Sequence, residues 1–440
     1  MKRILVILIL SANFVCAQNW VSLGTGLNDQ SRVLYSDSVS GRIFVGGNFS
    51  FVNGRYQKTI AAWDGTEWDT LIAGINDGNP VLTITRYQNN IYAGGAFEFL
   101  YSSPYHGIVN GFTRWNGTTW DSLNIGFHNS GVPFNFYEYN NTLFCVGDFD
   151  SVGNCHSPYI TSWDGNNFIP IGLPNGITCT SRVDACIEFQ NELYFGASFF
   201  YNGTTTFSLI KWDGTNWNII DTNFSGYITS MAVYNNELYI GSSGLYGVPA
   251  NYLVKFDGTN FSSVGGDVNF IVYNLKVIEN KLFVVGQFTQ AGSILASRIA
   301  VWDGTNWSAF SNDTFNNAIL DIAVFNNELY VTGGFNMINS DTINYIAKYN
   351  GWYLGEKELN KKSGVSIYPN PTNNVLNIQL SSQINKAELF IIDVLGNNAY
   401  YQTLNNINTS IDVSKLSDGV YFYRITNNKE TYRGKIVIKN

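Results

Sequence analysis

Seven times along this chain an aromatic residue stands directly before Asp-Gly or Asn-Gly, at Trp63, Trp115, Trp163, Trp212, Phe256, Trp302 and Tyr349. Five of these sites carry a carboxylate: Asp64, Asp164, Asp213, Asp257 and Asp303. A series of acids invites an acid–base reading. The regular recurrence argues for turns instead, since one repeated turn residue does not make several active sites and Asp-Gly is what tight turns demand. Histidine is scarce, with only His106, His128 and His156. The GxSxG, HExxH and P-loop patterns are absent. DFDSVGN, residues 148–154, spaces two Asp as a calcium loop does but lacks the later bidentate Glu. No residue set identifies a reaction, so no catalytic or metal-ligating residue is assigned and no cofactor is expected.

The elements that would position such residues are bounded by composition. The chain has 440 residues, too long for one ordinary core, which points to several domains or a repeat. Charged residues make up 13% and aromatics 15%, a balance that excludes disorder and favours a β-rich protein. MKRILVILILSANFVCAQ has the form of a secretory signal, with cleavage expected between Ala17 and Gln18. Its apolar run is too short to span a bilayer, and no other segment could. A lipoprotein at Cys16 is disfavoured by the poor match of Asn13-Phe14-Val15. Four cysteines follow: Cys145, Cys155, Cys179 and Cys186. Export implies an oxidising compartment, so two disulfides are expected, with three connectivities open. The formal charge is −8. Removing Lys2 and Arg3 leaves −10, and the +3 of the residues from Glu356 onward leaves −13 on residues 18–355. So acidic a surface disfavours nucleic acid and anionic membranes.

Self-similarity supplies the architecture. The first element recurs as IAAWDGTEW, LIKWDGTNW and IAVWDGTNW; a second recurs as RIFVGG, NIYAGG and ELYVTG. Each series has seven members at a spacing of about 48 residues, a period that suits propeller blades. Each unit reads as four short antiparallel strands, with Asn-Asn and Asp-Gly supplying the positive φ that primed hairpin turns need. The fourth strand starts with an aromatic at Trp68, Trp120, Phe168, Trp217, Phe261 and Trp307, one short of seven. NWVSLG, residues 19–24, supplies the missing strand: Trp20 lies 48 residues before Trp68. The expectation is an all-β chain, a seven-bladed β-propeller over 18–354 closed by its N-terminal strand. Closure removes the open edge between first and last blades.

These residues resemble Kelch-type propeller repeats, in a variant common in secreted bacterial proteins: GG-x-F, then IA-x-W-D-G-x-x-W and LG-x-G. A Phe five residues after the aromatic of the second element recurs at Phe49, Phe97, Phe149, Phe199, Phe288 and Phe335, while Gly244 takes its place in the fifth blade. A copper oxidase on such a scaffold would pair His and Tyr around one channel; His106 and His156 fall in corresponding loops but read better as solvated. The sialidase Asp-box separates Asp from Gly by one residue and does not fit.

GEKELNKKSG, residues 355–364, reads as a linker. About seven short strands follow in 365–440, a count that suits a small Ig-like β-sandwich. YPNP at 368–371, DVLG at 393–396, LSDGVY at 416–421 and the terminal KIVIK resemble the type A C-terminal sorting domain of the type IX secretion system of Bacteroidota. The resemblance implies a two-stage export, through the periplasm and then the outer membrane, with the secretion machinery as partner. In that family the domain is usually cleaved and the cargo released or attached to surface lipopolysaccharide.

The longer connections of every blade share one face, and loops on a rigid scaffold carry function. Candidate binding residues there are Phe99, Tyr101, Tyr105, His106, Phe200, Tyr201 and Tyr246, aromatics of the kind that meet sugar faces and protein partners. The expected function is that of a monomeric, secreted or cell-surface module binding glycan or protein. An extracellular polysaccharide-active enzyme and a structural, gliding-associated component are the alternatives. Acids or His converging at the ring's axis would favour catalysis, and a broad aromatic shelf would favour binding.

Overall fold

The computed structural model describes residues 20–69, 71, 75, 78–100, 108–123, 125–128, 130–203, 205–350, 365–380, 387–393, 397–426 and 431–439. The chain divides into two compact units, residues 1–352 and 353–440. Ala17 and Gln18, flanking the expected cleavage site, lie outside the described residues.

Among its described residues the first unit contains seven four-stranded antiparallel sheets. Sheet 1 is typical: an inner strand Ser31–Asp37, then Arg42–Gly47, Ile60–Trp63 and an outer strand Trp68–Asp69. The inner strands of sheets 2 to 7 are Val81–Tyr87, Val132–Tyr139, Ile177–Phe189, Ser225–Tyr234, Val272–Ile278 and Ile319–Phe325. Successive inner strands are neighbours, and that of sheet 7 neighbours that of sheet 1. In sheet 7 the outer strand is Trp20–Ser22, with Trp20 opposite Tyr349.

Burial explains the repeated residue types. The second strand is apolar along nearly its whole length because it is covered on both faces; in sheet 6, Leu282, Val284 and Val285 are all fully buried. The repeated glycine admits the next sheet. A Cβ on Gly46 would lie 2.7 Å from Val81 Cγ1, and one on Gly241 would lie 2.5 Å from Val272 Cγ1. The Asp-Gly sites are turns: Asp64 Oδ1 accepts from the Thr66 and Glu67 N–H groups, both at 2.7 Å, and Asp303 Oδ1 does the same for Thr305 and Asn306. The Glu67 and Thr66 N–H groups hold the Asp64 carboxyl below its usual range.

Polar bonds also join the sheets. Asp321, buried in the inner strand of sheet 7, accepts from Leu34 N–H of sheet 1 and Asn274 Nδ2 of sheet 6, each at 2.7 Å, and from Ile322 N–H. Burial pushes its carboxyl up, and these donors and the Lys276 charge oppose that. Arg86 of sheet 2 grips Asp37 of sheet 1 through Nε at 2.7 Å and Nη2 at 2.6 Å. Replacing Asp321 with Asn turns an amide NH2 toward one N–H donor. The expected loss is about 1–3 kcal/mol of stability, the cost of a buried polar group left unpaired. An unchanged urea midpoint for Asp321→Asn would show that the carboxylate clasp is dispensable.

The end of the unit where inner strands begin, here the loop face, is more ordered than simple loops would make it. Sheets 1, 3, 6 and 7 each insert a hairpin of two-residue strands there, such as Phe51–Val52 with Arg55–Tyr56. The connection from the preceding sheet is latched to it by one bridge: Leu27 to Val52, Phe127 to Val152, Val268 to Ala291 and Phe315 to Ile338. Ile75 and Leu100 make the same bridge at sheet 2. The departure expected of the fifth unit is present, with Leu245 buried one place beyond Gly244. The fourth departs as well: in both, the second strand runs on for ten residues, Glu192–Tyr201 and Glu237–Tyr246.

The expected disulfides are absent. None of Cys145, Cys155, Cys179 and Cys186 forms a disulfide bond. Alternation along the strand separates Cys145 from Cys179 and Cys186. Cys145 faces the core between sheets 2 and 3, whereas Cys179 and Cys186 lie in the core between sheets 3 and 4. Burial pushes the Cys145 and Cys186 thiols up, as befits cysteines packed as small apolar side chains. Cys155 sits apart on a surface hairpin, its Sγ 3.8 Å from Phe168 O.

Among its described residues the second unit has seven strands in a three-stranded and a four-stranded antiparallel sheet. Leu376 and Ile378 from one, and Leu389, Ile391, Ile425 and Ile436 from the other, share one hydrophobic core. Period-two alternation produces it: Val375–Leu380 buries Leu376, Ile378 and Leu380.

Candidate functional site

Every inner strand carries a β-bulge near the loop face. Pairing with the second strand skips one residue each time, leaving Arg32, Leu82, Phe134, Asp184, Thr229, Tyr273 and Leu320 without a partner position. An extra residue bends the strand and re-aims its side chain, which is why bulges recur beside functional sites. These seven residues are half-buried or exposed, in contrast to the buried positions flanking most of them.

Several of them meet. Arg182 Nε donates to Asp184 Oδ1 at 2.8 Å. Its guanidinium lies 4.1 Å from the centre of the Phe134 ring and 5.5 Å from that of Tyr227. Burial pushes the Asp184 carboxyl up, against the opposing pull of the Arg182 charge and a hydrogen bond from the Tyr227 hydroxyl. Asp148, at the end of the second strand of sheet 3, is also raised by desolvation and lowered by Arg182. Desolvation lowers the Arg32 guanidinium, which feels Tyr273, Arg182 and Asp29. Contacts therefore bring Phe134, Arg182, Asp184 and Tyr227 of sheets 3, 4 and 5 together at one mouth on the axis around which the inner strands are arranged, and the Arg182 charge also acts on Arg32 and Asp148.

The aromatic candidates read from the sequence lie elsewhere on the same face. Phe99 is partly exposed and bridges Ile108. Phe200 is half-buried, Tyr201 exposed and Tyr246 71% exposed, each toward the end of a long second strand. Tyr101, Tyr105 and His106 lie outside the described residues. Further exposed apolar side chains stand on the loop face, among them Phe51, Tyr56, Ile108, Phe270, Leu295 and Met337. His156 is exposed and sits 3.3 Å from Asp150 Oδ2. Among the described residues no group of three His, Cys, Asp or Glu is placed to hold a metal ion.

The axial cluster escaped the sequence reading because its members differ in type. The bulge position is Arg32, Leu82, Phe134, Asp184, Thr229, Tyr273 and Leu320 in the seven inner strands, so no shared residue type marks it.

Residues 366–439 match the model of the secretion system C-terminal sorting domain. No curated protein matches the chain. Among solved structures, PorZ, an essential surface component of the type IX secretion system of Porphyromonas gingivalis, is similar at 14% identity over 93% of this chain, with a TM-score of 0.44. This chain covers 59% of PorZ. The β-propeller domain of the Trilobed protease from Pyrococcus furiosus is similar at 12% identity, over 74% of this chain and 95% of that one, with a TM-score of 0.42. The sorting domain directs the chain through the type IX secretion system to the cell surface or beyond. Among the described residues no helix is long and apolar enough to cross a membrane.

Proposed function

We propose that this is an extracellular binding module: a Kelch-like, seven-bladed β-propeller closed by its N-terminal strand, followed by an Ig-like sorting domain, which engages a glycan or a surface protein through its loop face. The seven four-stranded sheets, the pairing of Trp20 with Tyr349 and the adjacency of the first and last inner strands support the ring. The observation that carries the binding role is the convergence of Arg182, Asp184, Phe134 and Tyr227 on one axial mouth. These residues are not needed to close the sheets, since the bulges set them outside the ladder register, and at sheet 3 the latched connection holds the rim beside Phe134. The partner of the sorting domain is the secretion machinery.

Glycan-array and surface-extract binding by the secreted protein tests this reading. Binding should occur and should fall when loop-face residues are substituted. Retention of full binding after combined substitution of Arg182, Tyr227 and Tyr246 would remove the loop face as its seat.

One observation favours a second reading. Asp148 and Asp184 are both raised carboxyl groups beside one guanidinium, an arrangement met in sites that transfer protons. On that reading the protein is a polysaccharide-active enzyme. Turnover of a sugar polymer that is abolished in Asp148→Asn would establish it over binding alone.

A further inference from the structure

We infer that the outer face of the four-stranded sheet in the second unit is the surface that docks on the secretion machinery, against a protein surface that is apolar at its centre and acidic at its border. The inference rests on the reading of that machinery as the unit's partner and names where the unit is held.

The sheet is built from Ala387–Ile392, Asn398–Leu404, Gly419–Thr426 and Thr431–Ile438. Alternation sends Leu389, Ile391, Tyr421, Ile425, Ile436 and Ile438 into the shared core and their neighbours to the opposite face. There the register lines up large apolar side chains across strands. Phe390 stands opposite Tyr401, Ile392 opposite Phe422, and Val420 opposite Val437. Tyr401 is 53% exposed, Phe422 40% and Val420 38%. A sheet packed on one face is expected to be polar on the other. The apolar side chains here serve no core, and a run of them on adjacent strands marks a surface that is covered in use.

Cations are set into this stripe. Arg424 stands opposite Phe390, its guanidinium 4.5 Å from the ring centre. Lys435 stands opposite Phe422 and is exposed. Glu388 accepts from the Tyr401 hydroxyl at 3.1 Å. Rings and a stacked guanidinium are the anchors that protein interfaces favour, and positive charges beside them call for carboxylates on the partner. An anionic membrane calls instead for a cluster of several cations, and here the aromatic and aliphatic side chains outnumber them. Strand addition is blocked along the last part of Thr431–Ile438. Asn370 Nδ2 donates to Lys435 O, and Val437 N–H donates to Asn370 Oδ1. Thr372 N–H donates to Val437 O, and Lys439 N–H to Thr372 O. That stretch therefore offers a partner its face and not its edge.

Fractionated cultures of cells that secrete the full chain test this. Phe390→Ser combined with Phe422→Ser should lower the extracellular share roughly tenfold or more, the effect of losing two central anchors, and leave the protein in the periplasm. Lys435→Glu, at an exposed side chain outside the core, should also lower it. Val375→Ser with Ile407→Ser removes side chains of similar exposure, 47% and 44%, from elsewhere on the unit and should leave export at the parent level. The variants should resist protease as the parent does, since the core is untouched; if the double variant is degraded, Lys435→Glu decides. Normal export of the face variants would overturn the inference while leaving the sorting role of the unit intact, because deletion of residues 365–440 reads that role separately. An equal loss in the Val375 and Ile407 variant would also overturn it. A dimer of the parent that Phe422→Ser disperses would assign the face to a second copy. Loss of binding to lipopolysaccharide vesicles with export unchanged would assign it to lipid. Either result would sink the docking assignment.

Discussion

Cells producing the chain without residues 365–440 are expected to retain it in the periplasm, with the extracellular share falling to background on immunoblots of fractionated cultures. The reason is physical as well as categorical. The matched stretch, 366–439, is an independent two-sheet unit whose core is its own, from Leu376 and Ile378 to Ile425 and Ile436. Deleting it should leave the first unit folded, because that unit's sheets draw all their strands from residues 20–349. A truncated chain that is folded but undelivered is thus the expected state. Its appearance outside the cell would show that another route serves the first unit.

Removing residues 18–26 is expected to have the largest effect on stability. The deletion takes away the strand Trp20–Ser22, and with it the pairing to Lys348 and Tyr349. Trp20 is fully buried, with ring centres 4.9 Å from Tyr349, 5.3 Å from Phe315 and 5.7 Å from Phe310. Truncating one such side chain in a core costs roughly 3–5 kcal/mol. Losing the whole strand also strips the third strand of sheet 7 of its neighbour and exposes an edge that invites association. The loss should therefore exceed that of Trp20→Ala, and the truncated protein should melt well below the parent and aggregate. Loop closure across the whole unit adds little to this cost, since it grows only logarithmically with length. Calorimetric melting that matches the parent would refute the proposed ring closure.

Much of this architecture is legible in residue order because local backbone geometry selects residue types. A tight turn with positive φ takes Asn or Gly, and Asn235, Asn236, Asn326 and Asn327 all adopt it. A strand covered on both faces takes apolar residues and a glycine where the next sheet presses in. Such demands are the same in every repeat, so they recur about every 48 residues and can be read without a structure. The terminal strand was readable for the same reason: NWVSLG matches the outer strands of the other units. The sorting domain was readable from its ordered motifs.

The axial mouth is of another kind. Arg32, Phe134, Asp184 and Tyr273 occupy equivalent bulges, yet no packing demand makes them alike, so no periodic signal points to them. Phe134 lies roughly 50 residues from Arg182 and Asp184 along the chain and becomes their neighbour only because successive inner strands stand side by side. The cysteines show the same division. Their number and the route of export suggested bonds, while the side of the strand sets Cys145 in one core and Cys179 and Cys186 in the next, and none of the four is disulfide-bonded. Residue order by itself determined the repeat, its strands and turns, and the address for export, since each is a local preference written many times or in sequence. The tertiary structure alone decided which side chains face one another at the axis and which thiols stay apart, since those depend on how distant strands are brought together and on which face each residue turns.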